Sequence, residues 1–384
     1  MNATKMNAFD LLRQMKSITP QQVTQHIKAA AQAEAMIATL EVLPADRSLV
    51  GMEDNDTYVD GVHLSLPGTS HVVSLKNLAS FARQGMNIHF HGPKGTGKSR
   101  LIREVIKILN TDTVDYNRKV LEDNKLRFKK DGKTAKFEPY KRLAYTPYVY
   151  SCHEETQAQD DLILCPSTTI QNGQRIATTV PGALLMAWSK ELGGGVAVLE
   201  EIDTLLPGRM VVTHALLDGQ STVYKAYVDG EKIYTKYDNF VCFASSNTRG
   251  AGENNRGYAG TQIQNGAFMS RFALSFEVGY LPHDIELKFL TDRGVREDIA
   301  LRMLEIANKI RTSPSIEEGL SLRDLRNWSL AANVWASDYN IHMMKENFSS
   351  LWTNVYHPTA VMTFVTRQSE QATRDALLQY LAII

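Results

Sequence analysis

The stretch HFHGPKGTGKSR, residues 89–100, places Gly92, Gly97, Lys98 and Ser99 in the full G-x-x-x-x-G-K-[ST] spacing. Those residue types suit phosphate. Glycines let backbone N–H groups turn inward around anionic oxygens, and a helix opening at Lys98 adds its unpaired amides and the positive end of its dipole. Lys98 is expected to reach the β and γ phosphates, and Ser99 to ligate Mg2+. The predicted phosphate-binding residues are Gly92, Pro93, Lys94, Gly95, Thr96, Gly97, Lys98, Ser99 and Arg100. A purely structural glycine turn would need neither the Lys nor the Ser.

A phosphate loop requires carboxylates nearby, and GGGVAVLEEID at 193–203 offers two. Val196 to Leu199 read as a strand buried on both faces. Glu200 at its tip is expected to hold the Mg2+ shell, and Glu201 to act as general base on the attacking water. A third strand, NFVCFASSNTRG, sets Asn247 at its end, where a polar side chain can hold that water near the γ-phosphate.

The elements that position these groups follow from periodicity. From Val72 onward apolar strands alternate with helices: SLKNLASFARQG and KSRLIREVIKILN as helices around the strand MNIHFHG. Further strands read at 145–151, 195–200 and 239–245, with helices at 181–191 and around 207–217. That alternation predicts an α/β fold, a parallel sheet covered by helices. Two hairpins interrupt it, at 162–180 turning on Asn172-Gly173 and at 221–237 turning on Asp229-Gly230. Beyond Pro282 the pattern is helical, with Val295, Ile299, Met303, Ile306 and Ile310 on one stripe. Residues 7–42 also carry helical periodicity, punctuated by Pro20.

The expected division is an N-terminal helical module and linker over 1–70, an ATPase core over 71–281, and a C-terminal helical lid over 282–384. An insertion at 112–144 departs in charge. Between Arg118 and Arg142 seven Lys and three Arg face two Glu and two Asp, a net charge of +6 with Phe128, Phe137 and Tyr140 interleaved. A solvated face is the plainer reading, an anionic partner the sharper one.

Composition bounds the rest. Hydrophobic residues make up 43% and charged residues 22% of 384, an ordinary globular balance. The 42 Lys and Arg equal the 42 Asp and Glu, which argues against a general nucleic-acid or membrane coat. Three cysteines, Cys152, Cys165 and Cys242, match no zinc or redox spacing, so reduced thiols and a cytoplasmic location are expected. No run of 18 apolar residues occurs, and no membrane partner is expected.

The order of phosphate loop, acidic strand, polar strand end, Arg and helical lid resembles the AAA+ ATPases. More narrowly the chain resembles the MoxR-like branch, and within it the ATPase subunit of aerobic cobaltochelatase, the CobS-like type. The distinctive run is SSNTRGAGENNRGYAGTQIQNGAFMSRFALSFEVGYLPHD at 245–284, and the resemblance covers roughly 75–340. It implies an α/β P-loop AAA+ core with β-hairpin inserts, ATP and Mg2+ as ligands, and a homo-oligomeric, hexameric ring. It also implies roles for two arginines. Arg271 stands at the family's arginine finger, which reaches a neighbouring subunit's γ-phosphate, and Arg323 at sensor 2, near a lid helix capped by Ser321. An Arg paired to a local carboxylate is the plainer alternative at both positions. Two residues depart from the family pattern: Glu200 stands where Asp is usual, and Ser270 where an Asp commonly precedes the finger.

The same resemblance implies remodelling of a separate partner carrying a von Willebrand A-type domain. Three other functions stay open from sequence: a cobalt chelatase subunit, a nucleic-acid motor using the basic insertion, and a slow nucleotide-gated scaffold. Nucleic acid is not the favoured partner.

Overall fold

The computed structural model describes residues 64–66, 72–111, 119, 122, 145–171, 174–227, 230–248, 261–313, 316 and 319–382. The N-terminal helical periodicity, most of the basic insertion, the Asn172-Gly173 turn, Asp229 of the second turn and residues 249–260 of the distinctive run lie outside the described residues.

Five strands form one parallel sheet. They are β3 (Ile88–His91), β4 (Pro147–Ser151), β7 (Val196–Glu200), β10 (Val241–Ser246) and β11 (Leu274–Glu277), in the order β11-β3-β10-β7-β4. The strand that ends in the phosphate loop is therefore flanked by the strands ending before Asn247 and after Arg271. A short antiparallel pair, β1 (Leu64–Ser65) with β2 (Val72–Val73), precedes the sheet.

Strands β3, β7 and β10 are almost wholly buried, with only Glu200 at the tip of β7 partly exposed, which is why they read as apolar runs. Alternation sorts their side chains to two faces. Val196, Val198, Val241 and Phe243 pack with α1 (Leu75–Arg83) and α2 (98–111). Ala197, Leu199, Cys242 and Ala244 pack on the other face with α3 (Ala183–Trp188), α4 (His214–Leu217) and α5 (Gly266–Met269). The molecule is thus an α/β P-loop core with helices on both sides of its sheet.

His89 interrupts the apolar run of β3. Its Nε2 lies 2.6 Å from Ser246 Oγ on β10 and its Nδ1 3.1 Å from Ser275 Oγ on β11. Ser246 Oγ itself donates to Thr248 O at 2.5 Å, so the ring donates from Nε2 and accepts at Nδ1. Burial, then His91 and Lys98, push its pKa down to about 3, and the ring is neutral.

Two hairpins stand apart from the main sheet: β5 (Leu164–Gln171) with β6 (Gln174–Pro181), and β8 (Thr222–Tyr227) with β9 (Gly230–Thr235). The helix expected over 181–191 is α3 followed by a 3-10 turn, Lys190–Leu192. The one expected around 207–217 is a 3-10 segment, Arg209–Thr213, then α4. Gly208 with φ 90 delays that helix, and Gly193 with φ 113 ends the other. Tyr234 is buried in the same cluster as Trp188 and so packs its hairpin; the side chains of Tyr224 and Tyr227 lie outside the described residues.

After Val278 the chain is helical. The main elements are α6 (His283–Thr291), α7 (Glu297–Arg311), α8 (Leu322–Asp338) and α9 (Gln371–Ala382). Between α8 and α9, residues Phe348–Leu351 and His357–Ala360 alternate with π turns at Trp352–Tyr356 and Val361–Val365. The stripe Ile299, Met303, Ile306 and Ile310 is buried against Trp328, Trp352 and Phe364, a hydrophobic cluster separate from the sheet's. Among the described residues no helix is long and apolar enough to cross a membrane, and all three cysteines are free thiols.

Candidate nucleotide site at the strand ends

The loop after β3 is shaped by its glycines. Gly92 has φ 141, and a Cβ there would lie 2.3 Å from Val278 O. Gly95 has φ 76, and its Cβ would lie 2.4 Å from Ser321 Oγ. Only glycine lets the loop pass this close to the residue after β11 on one side and to the Ser321 side chain on the other. Thr96 Oγ1 braces the loop by donating to Pro93 O at 2.9 Å, and the Leu101 N to Gly97 O bond of 2.8 Å closes the first turn of α2. The free amides of that first turn point back into the loop.

Lys98 lies buried at the centre. Its Nζ donates to Gly92 O at 2.7 Å, Pro93 O at 2.9 Å and Asn247 Oδ1 at 3.1 Å. Burial lowers its pKa to about 8; Asp203 and Glu201 oppose that shift, and Arg323 adds to it. Lys98 therefore shares one electrostatic site with residues from three other segments.

Glu200 and Ser99 line one cleft together with Arg103, Pro147, Val149 and Val198. Ser151 Oγ donates to Glu200 Oε2 at 3.4 Å, and Cys152 N donates to Glu200 O at 2.8 Å, carrying the β4–β7 pairing to the strand tip. Glu201 follows with φ 57 and ψ 39, a left-handed residue other than glycine, a conformation that costs on the order of 1 kcal/mol. The strand ends at this kink, with Glu200 partly buried and Glu201 exposed. No group of three or more His, Cys, Asp or Glu able to hold a metal occurs among the described residues. A hydroxyl and a single carboxylate in one cleft nonetheless fit Mg2+, which keeps waters and shares its shell with phosphate oxygens.

Asp203 had no expected role, yet it is fully buried beside this centre. Its Oδ2 accepts from Asn247 N at 2.9 Å, Thr248 N at 3.0 Å and Thr248 Oγ1 at 3.2 Å. The signal was present in LEEID as a third carboxylate between Ile202 and Leu205, both buried at 0% exposure.

Ser321 caps α8 in a reciprocal box with Asp324, as its spacing predicts. The chain entering that cap is anchored by Arg311, whose Nε donates to Leu320 O at 2.8 Å while its guanidinium pairs bidentately with Glu286 at 2.8 Å. Arg323, the second residue of α8, has its Cβ 3.7 Å from the position a Gly95 Cβ would take. The start of α8 thus lies beside the phosphate loop.

Arg271 lies elsewhere. Asn87, which precedes β3, donates to Arg271 O at 3.1 Å, so Arg271 sits at the strand-start edge of the sheet. Four residues of β3 at about 3.3 Å each separate that edge from the loop by roughly 13 Å. Arg271 Nε is 2.9 Å from Asp218 Oδ1, and Nη2 donates to Asp218 Oδ2 at 3.1 Å. Asn87 also donates to Leu217 O at 3.3 Å, holding both partners of the pair. Asp218, the C-cap residue of α4, is thus the carboxylate that Arg271 pairs with.

A five-stranded parallel sheet, a glycine loop after β3, two carboxylates at the end of β7 and a C-terminal set of helices give the chain the α/β fold of a P-loop AAA+ core. Over 186 residues the chain is 25% identical to the aerobic cobaltochelatase subunit CobS of Sinorhizobium sp, a match covering 46% of this chain and 54% of that protein. The chain thus spans about half the length of the curated relative it matches. No protein-family model matches.

Proposed function

We propose that this chain is a MoxR/CobS-like ATPase that binds ATP with Mg2+ and hydrolyses it within a ring of identical subunits, driving rearrangement of a partner protein. The observation that carries this is the convergence of Lys98, Ser99, Glu200 and Asn247 on one end of the sheet, with Arg271 held at the other.

In this reading the loop amides of residues 92–97 and the Lys98 ammonium bind the β and γ phosphates. Ser99 and Glu200 hold Mg2+, which neutralises charge on the phosphate oxygens when bound. Glu201 takes a proton from water as the water oxygen bonds to the γ-phosphorus, and the bond to the β–γ bridging oxygen breaks toward ADP. Asn247 orients that water from across Lys98. Arg323 contacts the γ-phosphate from the lid of the same subunit. Arg271 cannot serve its own site at that separation, so it serves a neighbour's, where its guanidinium offsets charge on the transferring group.

The ring is taken as hexameric and the partner as a separate chain with a von Willebrand A-type domain. The similarity to a cobaltochelatase subunit favours a second reading, in which that partner is a metal chelatase; partner chains of that kind encoded beside the gene would support it. The nucleic-acid reading rests on the insertion alone and is not favoured by a chain with equal numbers of basic and acidic residues.

The experiment is Mg2+-dependent ATP hydrolysis by the purified chain, with mass measured by light scattering in ATP and in ADP. Turnover with ATP-dependent assembly supports the reading. A chain that binds no ATP at millimolar concentration overturns it, and GTP competition settles the base preference.

A further inference from the structure

The acid loop after β7 and the turn after β10 are closed onto each other by one carboxylate. Asp203 is 0% exposed, and its Oδ2 takes both successive amides of the turn, Asn247 N and Thr248 N, together with the Thr248 hydroxyl. Its other oxygen, Oδ1, is buried with no hydrogen-bond partner among the described residues. A buried carboxylate half satisfied in this way costs stability, so it needs a reason to be there.

The carboxylate is held rigidly from its own side. It lies within the 3-10 turn Ile202–Thr204, closed by Thr204 N to Glu201 O at 3.0 Å. Thr204 Oγ1 also donates to Glu201 O at 2.8 Å and to Cys152 O at 3.0 Å. The turn is also held through Ser246, whose hydroxyl bonds the His89 ring and donates to Thr248 O. What remains undetermined by backbone bonding is the Asn247 side chain, and it faces Lys98.

We propose that Asp203 is a positioning residue for ATP hydrolysis: it fixes the Asn247 turn against Glu201, two residues earlier, so that the water's base and its orienting amide keep one geometry. The inference rests on the ATPase reading above. The Asp203 carbonyl accepts from Gln262 N at 2.6 Å, and Gln264 donates to Leu205 O at 2.8 Å, so the segment leading to Arg271 is tied to the same turn. A residue of plain structural use would lower stability and leave turnover per folded molecule alone. A positioning residue lowers kcat while ATP affinity stays.

The test uses the full chain with Asp203→Ala, Thr248→Val, Thr248→Ser and Asn247→Ala, alone and combined. ATP affinity is read by calorimetry, kcat by phosphate release. Expected is a kcat loss on the order of 10²-fold for Asp203→Ala with affinity within a few-fold, a smaller loss for Thr248→Val, and near-parental kcat for Thr248→Ser. Combined with Asn247→Ala, Asp203→Ala costs little more than Asn247→Ala alone, because both act through one amide. Additive losses, or parental kcat in folded Asp203→Ala, overturn the inference while the ATPase reading stands. Where Asp203→Ala fails to fold, the Thr248→Val and Asn247→Ala cycle decides by the same criterion. A parental chain without turnover overturns both readings together.

Discussion

Lys98 and Asn247 are 149 residues apart in the chain, and the ammonium of one donates to the side-chain oxygen of the other at 3.1 Å. Parallel pairing of β3 with β10 brings them together, since Phe90 and His91 stand in register with Ser245 and Ser246. The phosphate-binding cation and the polar strand end thereby become neighbours through the sheet, with no loop needed to fold over.

Substituting the two should separate binding from turnover. Lys98→Ala removes the buried charge and is expected to lower ATP affinity by on the order of 10²-fold, two charge-assisted contacts' worth. Asn247→Ala should leave affinity within a few-fold and lower kcat on the order of 10²-fold. Calorimetry beside phosphate release checks the pair; equal effects on affinity would show that Asn247 acts only through Lys98.

ATP affinity should fall as pH rises through about 8. With no phosphate bound, burial holds the Lys98 pKa at about 8 against an ordinary 10.5. A polyphosphate favours the charged form and raises that pKa, so binding takes up a proton above about pH 8 and none well below it. Affinity is then full below pH 8 and declines by up to tenfold per pH unit above it. Titrations at pH 7, 8 and 9 read the slope, and a flat profile would exclude Lys98 as the responsive group.

The two adjacent glutamates should respond differently. Glu201→Gln keeps shape and removes the base, and kcat should fall on the order of 10²- to 10⁴-fold with ATP still bound. Glu200→Asp keeps the carboxylate in the cleft with Ser99 and should retain turnover. Equal losses in steady-state assays would assign Glu200 more than metal holding. Glu201→Gly is expected to gain up to about 1 kcal/mol in denaturant unfolding, since φ 57 suits glycine, while losing activity.

Arg271 should be active only across an interface. Arg271→Ala is expected to bind ATP and not turn it over. Mixing it with Glu201→Gln should restore part of the activity, because a ring of both contains sites with an intact base beside an intact finger. No recovery over a range of mixing ratios would place Arg271 in a structural role, paired to Asp218.

The parts of the site whose chemistry is contiguous could be read directly from the chain. A phosphate loop needs its glycines, Lys98 and Ser99 in one run, and Glu200 with Glu201 must end an apolar strand, so spacing reveals both. Ser321 was legible in the same way, because a helix cap is a local bond to the residue three positions on. The alternation of strand and helix likewise announced a covered parallel sheet. Helix lengths at 181–191 and 207–217 were not legible, because 3-10 turns and glycines there compete on nearly equal terms with the α-helix.

Which distant polar groups meet depends on how the strands pack. Asp203 reaching the Asn247 turn, Asn87 holding Arg271 and Leu217, and Asp218 pairing with Arg271 are all products of strand order and register. Each of these side chains bonds a group 44 or more positions away, from Asp203 to Asn247 at 44 up to Asn87 to Arg271 at 184. No local spacing encodes such a pairing. It is fixed when β7, β10, β3 and β11 pack side by side, because a buried polar atom must then take the partner that packing places within reach.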